Sequence, residues 1–255
     1  MTKASRWKDS SLGVVGVLGL LAVWEALTRS GAVNPVIFPP PTAAVAGALA
    51  KVPPRDLWEH VSTSLLRILW GFGVGAGLGI LVGIASGWYR TLGALTQPVI
   101  DLIRPIPPLA WIPMAIIWFG LGEPSKVFVI FLGAFFPVVT NAYKGMTGVD
   151  PILLRAAQTM GLSGPRLLLQ VAIPAAMPDI ATGLRVGWGL SFGVLVAAEL
   201  IAADAGMGFM IMHARQSGEI GVIIFGIILI GVTNLLTDYG IGEVIRRKVG
   251  RWHAT

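Results

Sequence analysis

The sequence contains no cysteine. That absence excludes disulfide frameworks, zinc–thiolate centres and cysteine nucleophiles. Charge is scarce as well: Asp, Glu, Lys and Arg make up 13% of the 255 residues, about half of the roughly 25% found in soluble domains. Long stretches carry no charge, and short ones hold several. What the chain has instead is apolar surface, with 55% hydrophobic residues and a mean hydropathy of +0.76. A soluble core cannot absorb that much while leaving a solvated exterior, whereas lipid can. The net charge of +6 therefore does not point to nucleic acid. In a membrane chain, Lys and Arg mark the cytoplasmic side.

About 20 apolar residues cross the hydrocarbon as a helix. By that measure the sequence predicts an all-α polytopic membrane protein with about six spans, at 12–29, 60–87, 94–119, 125–144, 180–202 and 219–245. Residues 1–11 form a cytoplasmic tail with Lys3, Arg6 and Lys8. The following apolar run reads as an uncleaved span, since no clear small-x-small cleavage site ends it. Residues 12–245 then form one transmembrane domain, with a cytoplasmic loop at about 145–178, and 246–255 form a second cytoplasmic tail. With the N-terminus inside, the inner segments hold eleven basic residues: Lys3, Arg6, Lys8, Arg90, Lys144, Arg155, Arg166, Arg246, Arg247, Lys248 and Arg251. The outer segments hold five: Arg29, Lys51, Arg55, Lys126 and Arg215. This asymmetry puts both termini in the cytoplasm. Between the first two spans, Phe38-Pro39-Pro40-Pro41 reads as extended, and Thr42 to Val52 reads as a short interfacial helix.

The second span carries Gly71, Gly75, Gly79, Gly83 and Gly87. Glycine at every fourth position makes a stripe without side chains, and another helix can pack closely against it. The third span contains Pro105, Pro107, Pro108 and Pro113. These free backbone groups that lipid cannot satisfy, so the stretch faces protein or an aqueous pathway.

The loop between the fourth and fifth spans reads as two short helices. Asp150 caps the first, with Pro151 at its first position. Gly161 ends it in a left-handed turn, and Ser163 caps the second. Leu167, Leu168 and Val171 then form an apolar ridge suited to a partner's groove. Within this loop Arg155-Ala156-Ala157, three residues, Gly161, nine residues and Val171-Ala172-Ile173-Pro174 resemble the Glu-Ala-Ala–Gly–Ile-x-Leu-Pro signature of permease subunits of ATP-binding-cassette importers. Arg155 replaces the signature's Glu, and Val171 and Ile173 conserve shape. Arg104-Pro-Ile-Pro-Pro-Leu-Ala-Trp-Ile-Pro, Trp118-Phe-Gly-Leu-Gly-Glu-Pro-Ser-Lys and Val196-Ala-Ala-Glu-Leu-Ile-Ala are similar to the nitrate, sulfonate, taurine and bicarbonate branch, most of all to taurine and aliphatic sulfonate permeases.

The resemblance implies a type I importer permease fold in a bacterial inner membrane. It implies a coupling helix, carried here by Arg155, Ala156, Ala157, Gly161, Pro165, Leu167, Val171, Ile173 and Pro174, that docks on an ATPase. The implied partners are two ATPase subunits holding ATP and Mg, a second copy of the chain, and an extracytoplasmic solute-binding protein. The chain itself has no Gly-x-x-x-x-Gly-Lys-Ser/Thr phosphate loop. No cofactor, metal site or catalytic residue is expected on it. The solute stays open among taurine, other sulfonates, nitrate, bicarbonate and aromatic carboxylates.

Charges inside apolar spans carry hypotheses of their own. Arg67 lies in the second span. Asp101 and Arg104 are three residues apart and can pair. Arg185 snorkels near the inner end of the fifth span. Glu199, near its outer end, anchors a loop or belongs to an outer gate. For an anionic solute the pathway candidates are Arg104, Trp111, Trp118, Thr140, Asn141, Trp188 and Ser191, with Glu199 at the gate. Two competing readings exist. Gly161-Leu162-Ser163-Gly164 fits the nucleophile pattern of a six-span intramembrane serine protease, which needs a histidine beside Ser163. Of His60, His213 and His253, the first two fall on the opposite side of the membrane and the third in the tail. A secondary transporter needs internal repeats, and the sequence has no convincing one.

Overall fold

The computed structural model describes residues 3–249, with side chains for residue 13 and residues 15–243. The described residues are helical, without strands. The helices are α1 (Lys3–Arg29), α2 (Pro41–Lys51), α3 (Pro54–Trp88), α4 (Arg90–Ile103), α5 (Ile112–Phe119), α6 (Glu123–Thr147), α7 (Pro151–Thr159), α8 (Gly164–Leu167), α9 (Ile173–Ala202), α10 (Met207–Gln216) and α11 (Ile220–Val249).

Four stretches are long and apolar enough to cross a membrane: Pro54–Trp88, Glu123–Thr147, Gly164–Ala202 and Ile220–Glu243. A fifth is the pair Arg90–Ile103 and Pro108–Phe119, bent by 84°. The sixth expected span, 12–29, is helical as part of α1, which begins at Lys3 inside the expected tail. Most of the expected C-terminal tail lies outside the described residues, α11 running on to Val249.

The glycine stripe sets the architecture. A Cβ on Gly71 would stand 2.6 Å from Ile130 Cγ2, one on Gly79 3.0 Å from Val138 Cβ, and one on Gly83 2.5 Å from Ala142 Cβ. Gly75 and Gly87 meet Ala134 and Met146 in the same way. Five glycines on α3 thus receive five α6 residues, each set spaced by four. Backbone contact this close supplies the dispersion attraction that holds helices together in lipid. The register also orders the topology. Partners advance together along both chains, so α3 and α6 run parallel. The chain between them must return to its starting side, which makes the bent α4–α5 segment a crossing and not a re-entrant hairpin. The bend falls inside the third span expected at 94–119, among the prolines expected to break it. Pro105, Pro107 and Pro108 leave Ile106 as the one N–H donor among four residues at the corner, and a 3-10 turn at Pro108–Trp111 restarts the helix.

Helix α9 packs antiparallel on the other side of α6. Gly145 meets Ala176 and Asp179, Gly183 meets Asn141, and Gly187 meets Ala134 and Val138. The bundle therefore has a loop end, where α3 and α6 finish and α7 and α8 sit, and a cap end formed by α2, α10 and the start of α11. At the cap end Ala48, Met210, Ala214 and Val222 make a small core. Trp24 stacks on Phe38 at 4.8 Å, and Thr42 donates to Glu25 at 2.6 Å, tying the C-terminus of α1 to α2. Helix α10 is not among the expected elements. Its short, mixed stretch lacks the length of a span.

Candidate functional site

The loop end carries the signature segment. Asp150 caps α7 by accepting from Ile152 N at 2.7 Å, with Pro151 in the first turn. Gly161 has φ +88°, the left-handed geometry that a side chain disfavours, and its turn folds the chain back through Leu162 N donating to Ala157 O at 3.1 Å. Ser163 occupies the next N-cap position but makes no side-chain capping bond.

The second short helix expected here is not separate. α8 passes through a π turn at Leu168–Ala172 into α9, so Gly164–Ala202 is one continuous 39-residue element. Pro174 has no N–H for the Gln170 carbonyl, and the widened turn lies immediately before it. The expected ridge is also corrected. Leu167 is buried, and Leu168 and Val171 are half-buried. The exposed apolar groups are Ile152, Leu153, Met160 and Leu169, because α8 turns its Leu167 face inward. Arg155, Ala156 and Pro165 are exposed, Ala157 is buried, and Ile173 and Pro174 are half-buried. The elbow thus presents an apolar surface flanked by Arg155 and Arg166, anchored on a core of Met146, Val149, Ala172 and Ala176.

The cap end holds a buried ion cluster. Arg67 and Glu199 are 4% and 1% exposed, and Arg67 Nη1 donates to Glu199 Oε1 at 2.8 Å. Ser64 Oγ donates to the same oxygen at 2.7 Å, and Gly208 N donates to Glu199 Oε2 at 2.9 Å. Arg67 also forks onto Glu123, Nε at 2.7 Å and Nη2 at 2.6 Å, and donates to the Ala205 carbonyl. The buried Lys126 joins Glu123 at 3.0 Å. Every charge has a partner and both oxygens of Glu199 accept hydrogen bonds, which helps hold ions in a low-dielectric interior. Gly206 has φ +127°, and a Cβ there would lie 2.5 Å from Glu199 Oε1, so only glycine lets the turn close over the pair. Four helices, α3, α6, α9 and α10, are pinned at one point. Arg67 and Glu199 stand far apart in the sequence, in the second and fifth spans. Their opposite charges inside two spans were the available signal. Glu123 and Lys126 carried the i,i+3 spacing of a helical ion pair, whereas Ser64 and Gly208 carried no signal.

Midway along α6 and α9 an open cavity of about 310 Å³ is lined by Arg104, Pro108, Leu132, Gly133, Phe136, Pro137, Thr140, Asn141, Val186 and Leu190. Arg104 pairs with Asp101 at 3.6 Å, both about half exposed. The structure brings Arg104, Thr140 and Asn141 together and leaves the other pathway candidates elsewhere. Trp188 packs edge-on against Phe72 at 5.0 Å inside the bundle. Ser191 is buried and donates to Ile130 O at 3.3 Å. Glu199 belongs to the ion cluster. Trp111 is half-buried at 6.2 Å from the half-exposed Trp118. Arg185 does not simply snorkel, since it pairs with Asp238 of α11 at 3.3 Å.

A second cavity of about 560 Å³ at the cap end is lined by Lys51, Asp56, His60, Phe209, His213 and Glu219 among others. His60 Nδ1 accepts from Gly206 N at 3.2 Å, and Phe209 lies between His60 and His213. Both histidines are therefore at the end of the bundle opposite Ser163, and His253 lies outside the described residues. The geometry does not support the protease reading. Among the described residues no group of three His, Cys, Asp or Glu side chains could hold a metal.

Residues 75–249 match the family model described as the binding-protein-dependent transport system inner membrane component. The taurine transport system permease protein of Escherichia coli is 38% identical, over 98% of this chain and 91% of that protein. The bicarbonate transport system permease protein of Synechococcus elongatus is 34% identical, over 91% of this chain and 88% of that protein. Among solved structures, a chain of the MetNI methionine ABC transporter superposes with a TM-score of 0.54 at 21% identity, covering 76% of this chain and 94% of that one. A second crystal form gives 0.55 at 19% identity, covering 80% and 97%.

Proposed function

The chain belongs to the family of binding-protein-dependent transport system inner membrane components and is an ATP-binding-cassette permease of the taurine, sulfonate and bicarbonate branch; from that premise we propose that it moves a small anionic solute, taurine or another sulfonate, inward by alternating access. Its relatives are named as transport permeases and not as enzymes. ATP and Mg belong to two separate ATPase subunits. A second copy completes the pathway, and an extracytoplasmic protein delivers the solute. The loop end with both termini faces the cytoplasm of a bacterial inner membrane, in keeping with the distribution of Lys and Arg.

The observation that carries the mechanism is the continuity of Gly164–Ala202. One element starts in the exposed elbow, crosses the bundle against α6, and ends three residues beyond Glu199 in the ion cluster. A push on the elbow reaches the cap end along one unbroken helical element, as a rigid-body rocking of packed helices requires. The elbow's apolar surface with two flanking Arg residues fits a groove on an ATPase.

Two measurements test the proposal. ATP-dependent uptake of labelled taurine by vesicles containing the chain, its ATPase and its binding protein should be competed by alkanesulfonates. Uptake that persists after ATP depletion would refute the coupling. The cysteine-free background also permits a single Met160→Cys probe. An impermeant thiol reagent should reach it from the cytoplasmic side alone, and labelling from outside would reverse the orientation.

A further inference from the structure

We propose that the cavity between the α4–α5 corner and the middle of α6 and α9 is an anion-selective subsite of the membrane pathway, taking a small solute with an oxyanion head and a short apolar body. The proposal rests on the transport reading above and adds a location and a chemistry to it.

Depth comes first. Helix α6 runs 25 residues from Glu123 to Thr147, and the cavity residues Gly133 to Asn141 occupy its middle. At that depth a cation with about half its surface exposed cannot face hydrocarbon. Arg104 is 48% exposed, so the open side of the cavity meets water or a second copy of the chain.

Available hydrogen bonding comes next. Arg104 has one ion partner, Asp101, at the long distance of 3.6 Å with both groups exposed. That contact leaves most of the five guanidinium donors unengaged. The buried Thr140 hydroxyl has no hydrogen-bond partner at all. Asn141 spends one amide hydrogen on the Pro137 carbonyl at 2.8 Å and keeps the other. A cation, a hydroxyl and an amide, each able to donate, therefore line the same cavity, and no carboxylate does. Leu132, Phe136, Val186 and Leu190 form the rest.

Size and strength fit the same class. A volume of about 310 Å³ is at the small end of ligand cavities. Asp101 competes with the solute for Arg104. An arriving anion replaces the carboxylate and is later replaced by it, which keeps binding weak enough for release, as conduction requires.

The test uses the full chain in native membranes. In an Asn141→Cys variant the thiol is offered two methanethiosulfonates of similar size, the anionic sulfonatoethyl and the cationic trimethylammonioethyl reagent. The anionic-to-cationic rate ratio should fall about tenfold when Arg104→Gln is added, and Arg104→Lys should restore much of it. A Thr140→Cys probe repeats the measurement where Asn141→Cys protein does not accumulate. A thiol that reacts with neither reagent, or a ratio indifferent to Arg104, overturns the subsite. If that happens while the unsubstituted transporter still shows ATP-dependent uptake, the subsite is wrong and the transport reading stands. Loss of ATP dependence in the unsubstituted transporter sinks the transport reading itself.

Discussion

The ion cluster predicts an asymmetry between its two buried partners. Glu199 holds three hydrogen bonds, from Ser64, Arg67 and Gly208. Arg67 has Glu123 as a second carboxylate, at 2.6 and 2.7 Å. Replacing Glu199 by Gln keeps one carbonyl acceptor and leaves Arg67 matched by Glu123. The loss is that of charge-assisted bonds, about 1.5–3 kcal/mol. Replacing Arg67 by Met leaves a fully buried carboxylate with no cation beside it, takes the donor from the Ala205 carbonyl and leaves Glu123 with Lys126 alone. Breaking a buried pair in that way costs about 3–5 kcal/mol. The order is therefore Arg67→Met worse than Glu199→Gln. The double variant Arg67→Met/Glu199→Met should fall short of additivity by about 0.5–3 kcal/mol, since Glu123 and Lys126 remain paired to each other at 3.0 Å. Unfolding of the purified, detergent-solubilised chain, followed by helical circular dichroism, gives the three values. Equal costs for the two single variants, or strict additivity in the double, would refute the claim that the cluster acts as one unit.

The glycine stripe supplies its own control. Gly83→Ala should destabilise by about 1–3 kcal/mol through overpacking against Ala142, whereas Gly77→Ala, whose added Cβ meets nothing within 4 Å, should stay within about 0.5 kcal/mol; equal unfolding midpoints would remove the stripe's packing role. Gly161→Val places a β-branched residue at φ +88° and should lower solute moved per ATP hydrolysed, while full coupling in that variant argues against docking by the elbow. Ser163→Ala removes a hydroxyl that makes no capping bond and should leave uptake unchanged, so a loss of function there would reopen a chemical role for the serine.

The parts of this fold that announce themselves in sequence are those governed by local periodicity. The spacing Gly71 to Gly87 gave the α3 contact face because a stripe of missing side chains has few other uses in lipid. Asp150-Pro151 and Gly161 gave the start and end of α7 because capping and left-handed turns are decided within a few residues. What the sequence concealed depends on distant residues meeting. The inward direction of Leu167 depends on how α8, joined to α9 through the π turn before Pro174, sits on the bundle, which the spacing of apolar residues alone does not set. Ser191 and Trp188 carry polar atoms suited to a pathway, but their helix turns that face onto Ile130 and Phe72. Glu199 shows the same limit from the opposite direction. Its burial can be inferred from its place in an apolar span, but its role depends on Arg67, 132 residues away along the chain, and on Gly206, whose missing side chain makes room for the pair. A charge inside a span therefore marks a place to look, and only the fold decides whether it is buried among helices it ties together, as at Glu199, or lies half-exposed at an open cavity, as at Arg104.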